Sequence, residues 1–323
     1  MLAVVLFATA VVTAAQSNVL IIAHRGASGH RPEHTLESYT LAISMGADYI
    51  EPDVVSTKDG VLIARHENEI GGTTDVADRF PDRRRTQTID RQSVTGWFTE
   101  DFTLAEIKTL RAKERLASRS HAYDGKFQVA TFDEVIELAQ RLGRELNRSI
   151  GVYPETKHPT FFRSIGLPLE EKLVASLDKH GWNRKDAPVF IQSFEQENLR
   201  ALRGKTPVRL IQLASGAAMV TPEKLKDIAT YADGIGPEKK LVIPVSEAGQ
   251  PGPPTDLVAR AHAVGLLVHV YTLRTDKEFL PAGYNGNAEE EFRPFRYAGI
   301  DGLFTDFPDV AFKVYGAAAS LKR

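Results

Sequence analysis

The stretch VLIIAHRG, Val19 to Gly26, decides the fold: five apolar residues end abruptly in His24, Arg25 and Gly26. A short continuous apolar run suits a strand buried on both faces. The same junction recurs along the chain. DYIEPDV carries Glu51 and Asp53, VLIAR leads into His66-Glu67, and SIGVYP ends in Glu155-Thr156-Lys157. VFI is followed by Gln192-Ser193-Phe194, LLVHV by Tyr271-Thr272, and GLF by Thr305-Asp306. Strands are expected at Val19–Ala23, Asp48–Val55, Val61–Ala64, Ser149–Tyr153, Val189–Ile191, Val208–Leu213, Leu266–Tyr271 and Gly302–Thr305, with a weak one at Gly234–Gly236. Amphipathic patterns between them predict helices, with Thr35, Thr131 and Thr221 as N-caps and Pro222 at a first helical position. Apolar strands alternating with helices give an α/β fold, and about eight such units favour a closed (β/α)8 arrangement, the TIM barrel, over an open sheet. In such a barrel the C-terminal strand ends form the active-site face.

The composition narrows the chemistry. The chain has 323 residues, 40 Lys+Arg against 42 Asp+Glu, and no cysteine. A formal net charge of -2 gives no basic footprint for nucleic acid. Without cysteine there is no disulfide scaffold, thiol nucleophile or thiolate metal site, so any metal must rest on Asp, Glu, His or carbonyl oxygen. No GxGxxG or P-loop supplies a nucleotide cradle.

Two segments depart from the barrel rhythm. Residues 1–15, MLAVVLFATAVVTAA, are uncharged and too short to span a bilayer. With small residues at Thr13 and Ala15 they read as a signal peptide cleaved after Ala15, hence an exported, periplasmic protein of residues 16–323. A buried N-terminal helix or an uncleaved anchor is the other reading. Residues 75–128 are rich in Arg, Asp, Thr and Gly and are expected to form an insertion between early barrel units. Its arginine cluster, Arg79 to Arg91, is interleaved with Asp78, Asp82 and Asp90 and reads as a solvated face.

The strand ends carry the candidate chemistry. Residues i and i+2 of a strand point to one face, so Glu51 and Asp53 aim two carboxylates at one point. Glu155 and Lys157 share that spacing. An oxygen-rich set of Glu51, Asp53 and Glu155 suits Ca²⁺, or Mg²⁺, better than a structural zinc. The alternative is a buried ionic network with Arg25 or Lys157. His24 and His66 are the candidate proton handlers, because imidazole titrates near neutrality. Arg25 has the fork geometry for a phosphate or carboxylate. Of the other histidines, His269 reads as a core residue, and His30, His34, His121, His158, His180 and His262 mostly as surface or helix residues. Phe194 and Tyr271 read as an apolar wall beside a ligand or as rim packing.

The ordered set HRGASGHRPEHT, EPDV, ARHE, TTDVADRF, YPETK, QSF, DGIGP, YTLR and GLFTDFPD, from His24 to Asp309, resembles the glycerophosphodiester phosphodiesterases, and most closely their exported, calcium-dependent bacterial type. The resemblance implies metal carboxylates at Glu51, Asp53 and Glu155, catalytic histidines at His24 and His66, and phosphate-side cations at Arg25 and Lys157. It also implies a supporting acid at Glu33, and hydrolysis through a cyclic phosphate of small glycerophosphodiesters such as glycerophosphocholine and glycerophosphoethanolamine. Glu67 departs from the pattern, where Asp commonly follows the second histidine, as does the glycine pair after Ile70. A phospholipase C- or D-like barrel acting on lipid phosphodiesters, or a catalytically silent surface binding protein, are the competing readings.

Overall fold

The computed structural model describes residues 19–316. Eight parallel strands form its centre: β1 (Leu20–His24), β2 (Tyr49–Glu51 and, past Pro52, Asp53–Ser56), β3 (Gly151–Val152 and, past Pro154, Glu155–Thr156), β4 (Phe190–Ser193), β5 (Arg209–Ala214), β6 (Gly234–Pro237), β7 (Leu267–Leu273) and β8 (Gly302–Thr305). Each pairs with its successor, and β8 pairs with β1 at Leu20↔Gly302, which closes the ring. The TIM barrel expected from the strand rhythm is therefore the fold.

Two expectations about strands change. The Val61–Ala64 run is not a parallel barrel strand. Leu62–Ala64 folds back antiparallel on β2, with Val54 opposite Ala64. The few residues between them form a turn at Gly60, φ 79°, and are far too short for the crossover that parallel pairing needs. Conversely, the weak Gly234–Gly236 signal marks a full strand. A Cβ on Gly234 would stand 2.8 Å from the Leu267 carbonyl oxygen and 2.7 Å from Ile211 Cδ1, so close neighbours exclude the side chain that would have advertised the strand.

Helices cover the barrel, beginning with α1 (Leu36–Ser44) and α2 (Phe132–Glu145). Thr35 caps α1 by accepting from the Ser38 amide, Thr131 and Glu134 form a capping box on α2, and Thr221 caps Pro222–Ile228. The main core lies between helices and sheet. A smaller one of Ile22, Tyr49, Tyr153, Phe190, Ile211 and Phe304 fills the barrel interior. His269 is fully buried beside it, meeting the Tyr153 hydroxyl through Nδ1 at 2.8 Å, as a core histidine should.

Between β2 and α2 the chain runs from 57 to 131. This segment holds the return strand, a hairpin of Arg85–Ile89 and Gln92–Gly96, and short helices at Val76–Arg79 and Leu104–Ile107. Phe98, Phe102, Ile107 and Leu110 anchor it through full burial. Its arginines face acids: Arg79 meets Asp75 at 2.7 Å, Arg83 meets Glu106 at 2.6 Å and Arg85 meets Asp101 at 2.5 Å. Residues 1–15, read as a signal peptide, lie outside the described residues. Among those described, no helix is long and apolar enough to cross a membrane.

Candidate active site

The C-terminal strand ends open into a cavity of about 350 Å³, lined by His24, Arg25, His66, Glu155, Lys157 and Gln192. Phe194, Tyr271, Arg274, Glu238 and Phe279 line it as well. Every residue singled out from the sequence for chemistry lies at or directly beneath this cavity.

Pro52 and Pro154 interrupt β2 and β3 at neighbouring positions, so Asp53 sits opposite Glu155 across the sheet. One oxygen each of Glu51, Asp53 and Glu155 lies within 4.8 Å of the others, and all three residues are buried. Burial, with Asp53 and Glu155 alongside, pushes the Glu51 carboxyl well above its ordinary range. Burial, with Asp53 nearby, raises Glu155 to about 7 against the pull of Lys157. Asp53 goes the other way: burial is outweighed by His66, by the His34 hydrogen bond and by Lys157. Asp53 Oδ1 is nevertheless buried without a hydrogen-bond partner. A set of hard oxygen donors that repel one another and leave one atom unsatisfied fits a divalent cation.

The ionic-network alternative describes the same residues from another side. The Arg25 amide donates to Glu51 Oε2 at 2.8 Å, and Arg25 Nε stands 3.4 Å from Asp53 Oδ2. Lys157 donates to Glu155 Oε1 at 2.8 Å. Arg25 Nη1 also donates to Glu33 at 3.0 Å, the acid in PEHT, which is buried and also receives Arg115 Nε at 2.9 Å. Arg25 takes φ 63° and Gly26 φ 90°, the sharp turn that aims the guanidinium back over the carboxylates.

Each candidate proton handler has a carboxylate oxygen close to Nδ1. His24 points Nδ1 at Asp306 Oδ1, 2.6 Å away, and His66 points Nδ1 at Glu67 Oε1, 2.8 Å away. A carboxylate at Nδ1 favours the tautomer with its lone pair on Nε2. Lys157 Nζ lies 3.3 Å from His66 Nε2. Burial, then Arg25, lowers His24 to about 3 against the pull of Asp306. Burial, Arg25 and Lys157 lower His66 to about 4. Both rings are neutral at pH 7 in the free site.

The geometry adds residues that sequence reading did not assign. Asp306, noted only as a polar strand end, accepts from His24, from Arg119 at 2.6 Å and from Arg274 at 2.7 Å. Gln192 Nε2 donates to Glu51 at 3.2 Å. His34, expected at the surface or on a helix, is instead fully buried with φ 59°, bridging the Tyr39 hydroxyl at 2.8 Å and Asp53 at 2.9 Å. Its place inside HRPEHT, one residue after Glu33, was the available signal. Phe194 and Tyr271 meet edge to face at 5.9 Å on the cavity wall.

The model of the glycerophosphoryl diester phosphodiesterase family matches residues 24–310. The chain belongs to this family. It is 40% identical over 313 residues to a glycerophosphodiester phosphodiesterase of Arabidopsis thaliana, covering 88% of this chain and 83% of that one. It is 30% identical over 335 residues to one of Haemophilus influenzae, covering 92% and 90%. The crystal structure of a family protein from Silicibacter pomeroyi superposes with a TM-score of 0.69 at 20% identity, covering 94% of this chain and 95% of that one. An Oleispira antarctica phosphodiesterase in complex with the product sn-glycerol-3-phosphate superposes with a TM-score of 0.63 at 20% identity, covering 93% and 96%. At that identity the two structures speak to the fold.

Proposed function

We propose that this enzyme hydrolyses glycerophosphodiesters to an alcohol and glycerol 3-phosphate, with His24 and His66 as its proton handlers. One observation carries the reading: two imidazoles, each with a carboxylate oxygen within 2.8 Å of Nδ1, share a cavity with Arg25, Lys157 and a buried carboxylate triad.

Glu51, Asp53 and Glu155 would hold a divalent cation, Ca²⁺ as first choice and Mg²⁺ as second, because every donor is a hard oxygen. When bound, the ion supplies a Lewis acid that offsets charge developing on the phosphoryl oxygens. Arg25, whose Nη1 is engaged by Glu33, has Nη2 left for a phosphoryl oxygen. Lys157 adds a second positive charge beside it, and Glu155 restrains its ammonium group. One imidazole takes the proton of the glycerol 2-hydroxyl as that oxygen attacks phosphorus. The other gives a proton to the departing alcohol. Water then opens the cyclic phosphate, each ring returning to its starting state. The anionic diester entering beside two neutral rings favours protonation of one of them, which supplies the acid.

Because the attacking hydroxyl belongs to the glycerol, that end of the substrate is fixed and the alcohol is free to vary. Glycerophosphocholine and glycerophosphoethanolamine are the substrates expected. Their hydrolysis, followed with chelator and with Ca²⁺ or Mg²⁺ added back, tests the reading, and intact phospholipid vesicles separate it from a phospholipase. Near-normal turnover by purified His24→Ala or His66→Ala would overturn the assignment. The uncharged run of residues 1–15 supports export to the periplasm. Fractionation with N-terminal sequencing tests this, and retention of Met1–Ala15 on a cytoplasmic protein would refute it.

A further inference from the structure

The segment between β2 and α2 reaches the backs of both proton-handling histidines, each time through one carboxylate. At the hairpin turn, Asp90 accepts from His158 Nδ1 at 2.6 Å. His158 Nε2 meets Glu67 Oε2 at 2.8 Å, and the other oxygen of Glu67 meets His66 Nδ1 at 2.8 Å. Four groups, alternately imidazole and carboxylate, thus run from the cavity to the tip of the hairpin. On the other side Arg119, 8% exposed, places Nη2 2.6 Å from Asp306 Oδ2, whose partner oxygen holds His24. Arg119 is itself fixed by Asp276, at 3.0 and 2.7 Å, and by the Ser28 carbonyl at 2.9 Å.

We propose that Asp90, acting through His158 and Glu67 on His66, and Arg119, acting through Asp306 on His24, are positioning residues of the hydrolytic reaction. This rests on the roles given to His24 and His66 above. The geometry is specific. Glu67 sits on an open loop with its side chain 48% exposed, so a single bond to His66 would leave it free to rotate. His158 pins its second oxygen, and Asp90 pins His158. His158 adopts φ 47°, an arrangement uncommon for a residue with a side chain, and this turns its ring from β3 toward the hairpin. Burial works against a charge on His158, but Glu67 and Asp90 outweigh it and raise its pKa. The Asp306 carboxylate is similarly locked by three donors from three parts of the chain. A ring misplaced by about 1 Å can cost on the order of 100-fold in rate, so loosening either brace has a kinetic consequence.

The test is a set of kinetic double-mutant cycles on the full chain. Asp90→Ala and Arg119→Ala are each expected to lower kcat about 10-fold or more with KM little changed. Combined with His66→Ala, Asp90→Ala should cost nothing further, whereas combined with His24→Ala it should retain its full effect. Arg119→Ala should show the reverse pattern. Arg83→Ala, which breaks an exposed ion pair of the same segment, is the control for general disturbance. Asp90 stands on an exposed turn, so its variant remains informative should Arg119→Ala fold poorly. The His158 ring resonances, titrated by NMR without substrate, should move to lower pKa in Asp90→Ala. That readout survives if the proposed hydrolysis is itself wrong. Wild-type kcat in Asp90→Ala, or effects that add equally in both histidine backgrounds, would overturn the proposal.

Discussion

Asp306→Asn exchanges one carboxylate for an amide at the point where His24, Arg119 and Arg274 converge. In the native site Oδ2 accepts from both guanidinium groups and Oδ1 from the imidazole. Asparagine has one oxygen and one NH2, and cannot serve both sides. Turning the NH2 toward two arginines would forfeit two charge-assisted bonds of about 1.5–3 kcal/mol each, against about 1 kcal/mol for a bond to a neutral ring. The arginines therefore keep the oxygen, and the NH2 faces His24. Nδ1 must then accept, the ring proton moves to Nε2, and the lone pair that should meet substrate is gone. A wrongly held tautomer of this kind costs about 10⁴ in kcat in the serine-protease triad, and a loss of about 10³–10⁴ is expected here. Stability falls too. Removing one partner of a buried pair costs about 3–5 kcal/mol, with the lower end expected because Arg119 retains Asp276. For a domain of this size that is a drop of about 6 °C in Tm. The assays are glycerol 3-phosphate release from glycerophosphocholine, scanning calorimetry, and ¹⁵N shifts of His24 for the tautomer. A purified variant with kcat within about threefold of wild type would refute the reasoning, whatever its Tm.

The metal-free triad binds protons that a cation must displace. With Glu155 raised to about 7 and Glu51 also raised by burial, divalent-ion affinity should fall by about 10-fold or more per pH unit below 7, and calorimetry showing equal affinity at pH 5.5 and 7.5 would contradict this. Glu51→Gln mimics the protonated acid, so the metal-free Tm should stay near wild type while the rise in Tm on adding Ca²⁺ disappears. Global stability should decline on acidification in two stages, readable from urea melts at a series of pH values. His24, His66 and His269 have lowered pKa values, so below about 6.5 the unfolded chain takes up protons that the folded one refuses, and stability drops. Asp306, held well below the usual carboxylate range as burial is outweighed by His24 and Arg274, contributes stability above about 4 that is lost further down. Gly26→Ala should cost about 2–3 kcal/mol in the same melts, since φ is 90° and the new Cβ would lie 2.5 Å from Ser38 Oγ.

The barrel was legible because its signal is local: an apolar run, a polar end, then a helix with its cap. The carboxylate pair was legible for the same reason, since the i and i+2 spacing of Glu51 and Asp53 is written in three letters. Strand polarity was not. Leu62–Ala64 has the apolar content of a barrel strand, and only the shortness of the turn before it dictates the antiparallel return. What supports the histidines was hidden by distance. Asp306 is 282 residues from His24 and 187 from Arg119. Nothing in the neighbourhood of either residue announces the partner. His34 was misjudged because burial of a histidine depends on finding two partners, here Tyr39 and Asp53, and one of those arrives from the next strand.

The aromatic filling of the barrel interior has a kinetic consequence. Tyr153, Phe190 and Phe304 seal the lower end of the cavity, with Phe304 reaching its lining. In the two-stage reaction proposed here, the departing alcohol leaves before water opens the ring. A second alcohol arriving in that interval can intercept the ring in place of water, returning a diester with a new headgroup. Such exchange rises with the concentration of free alcohol.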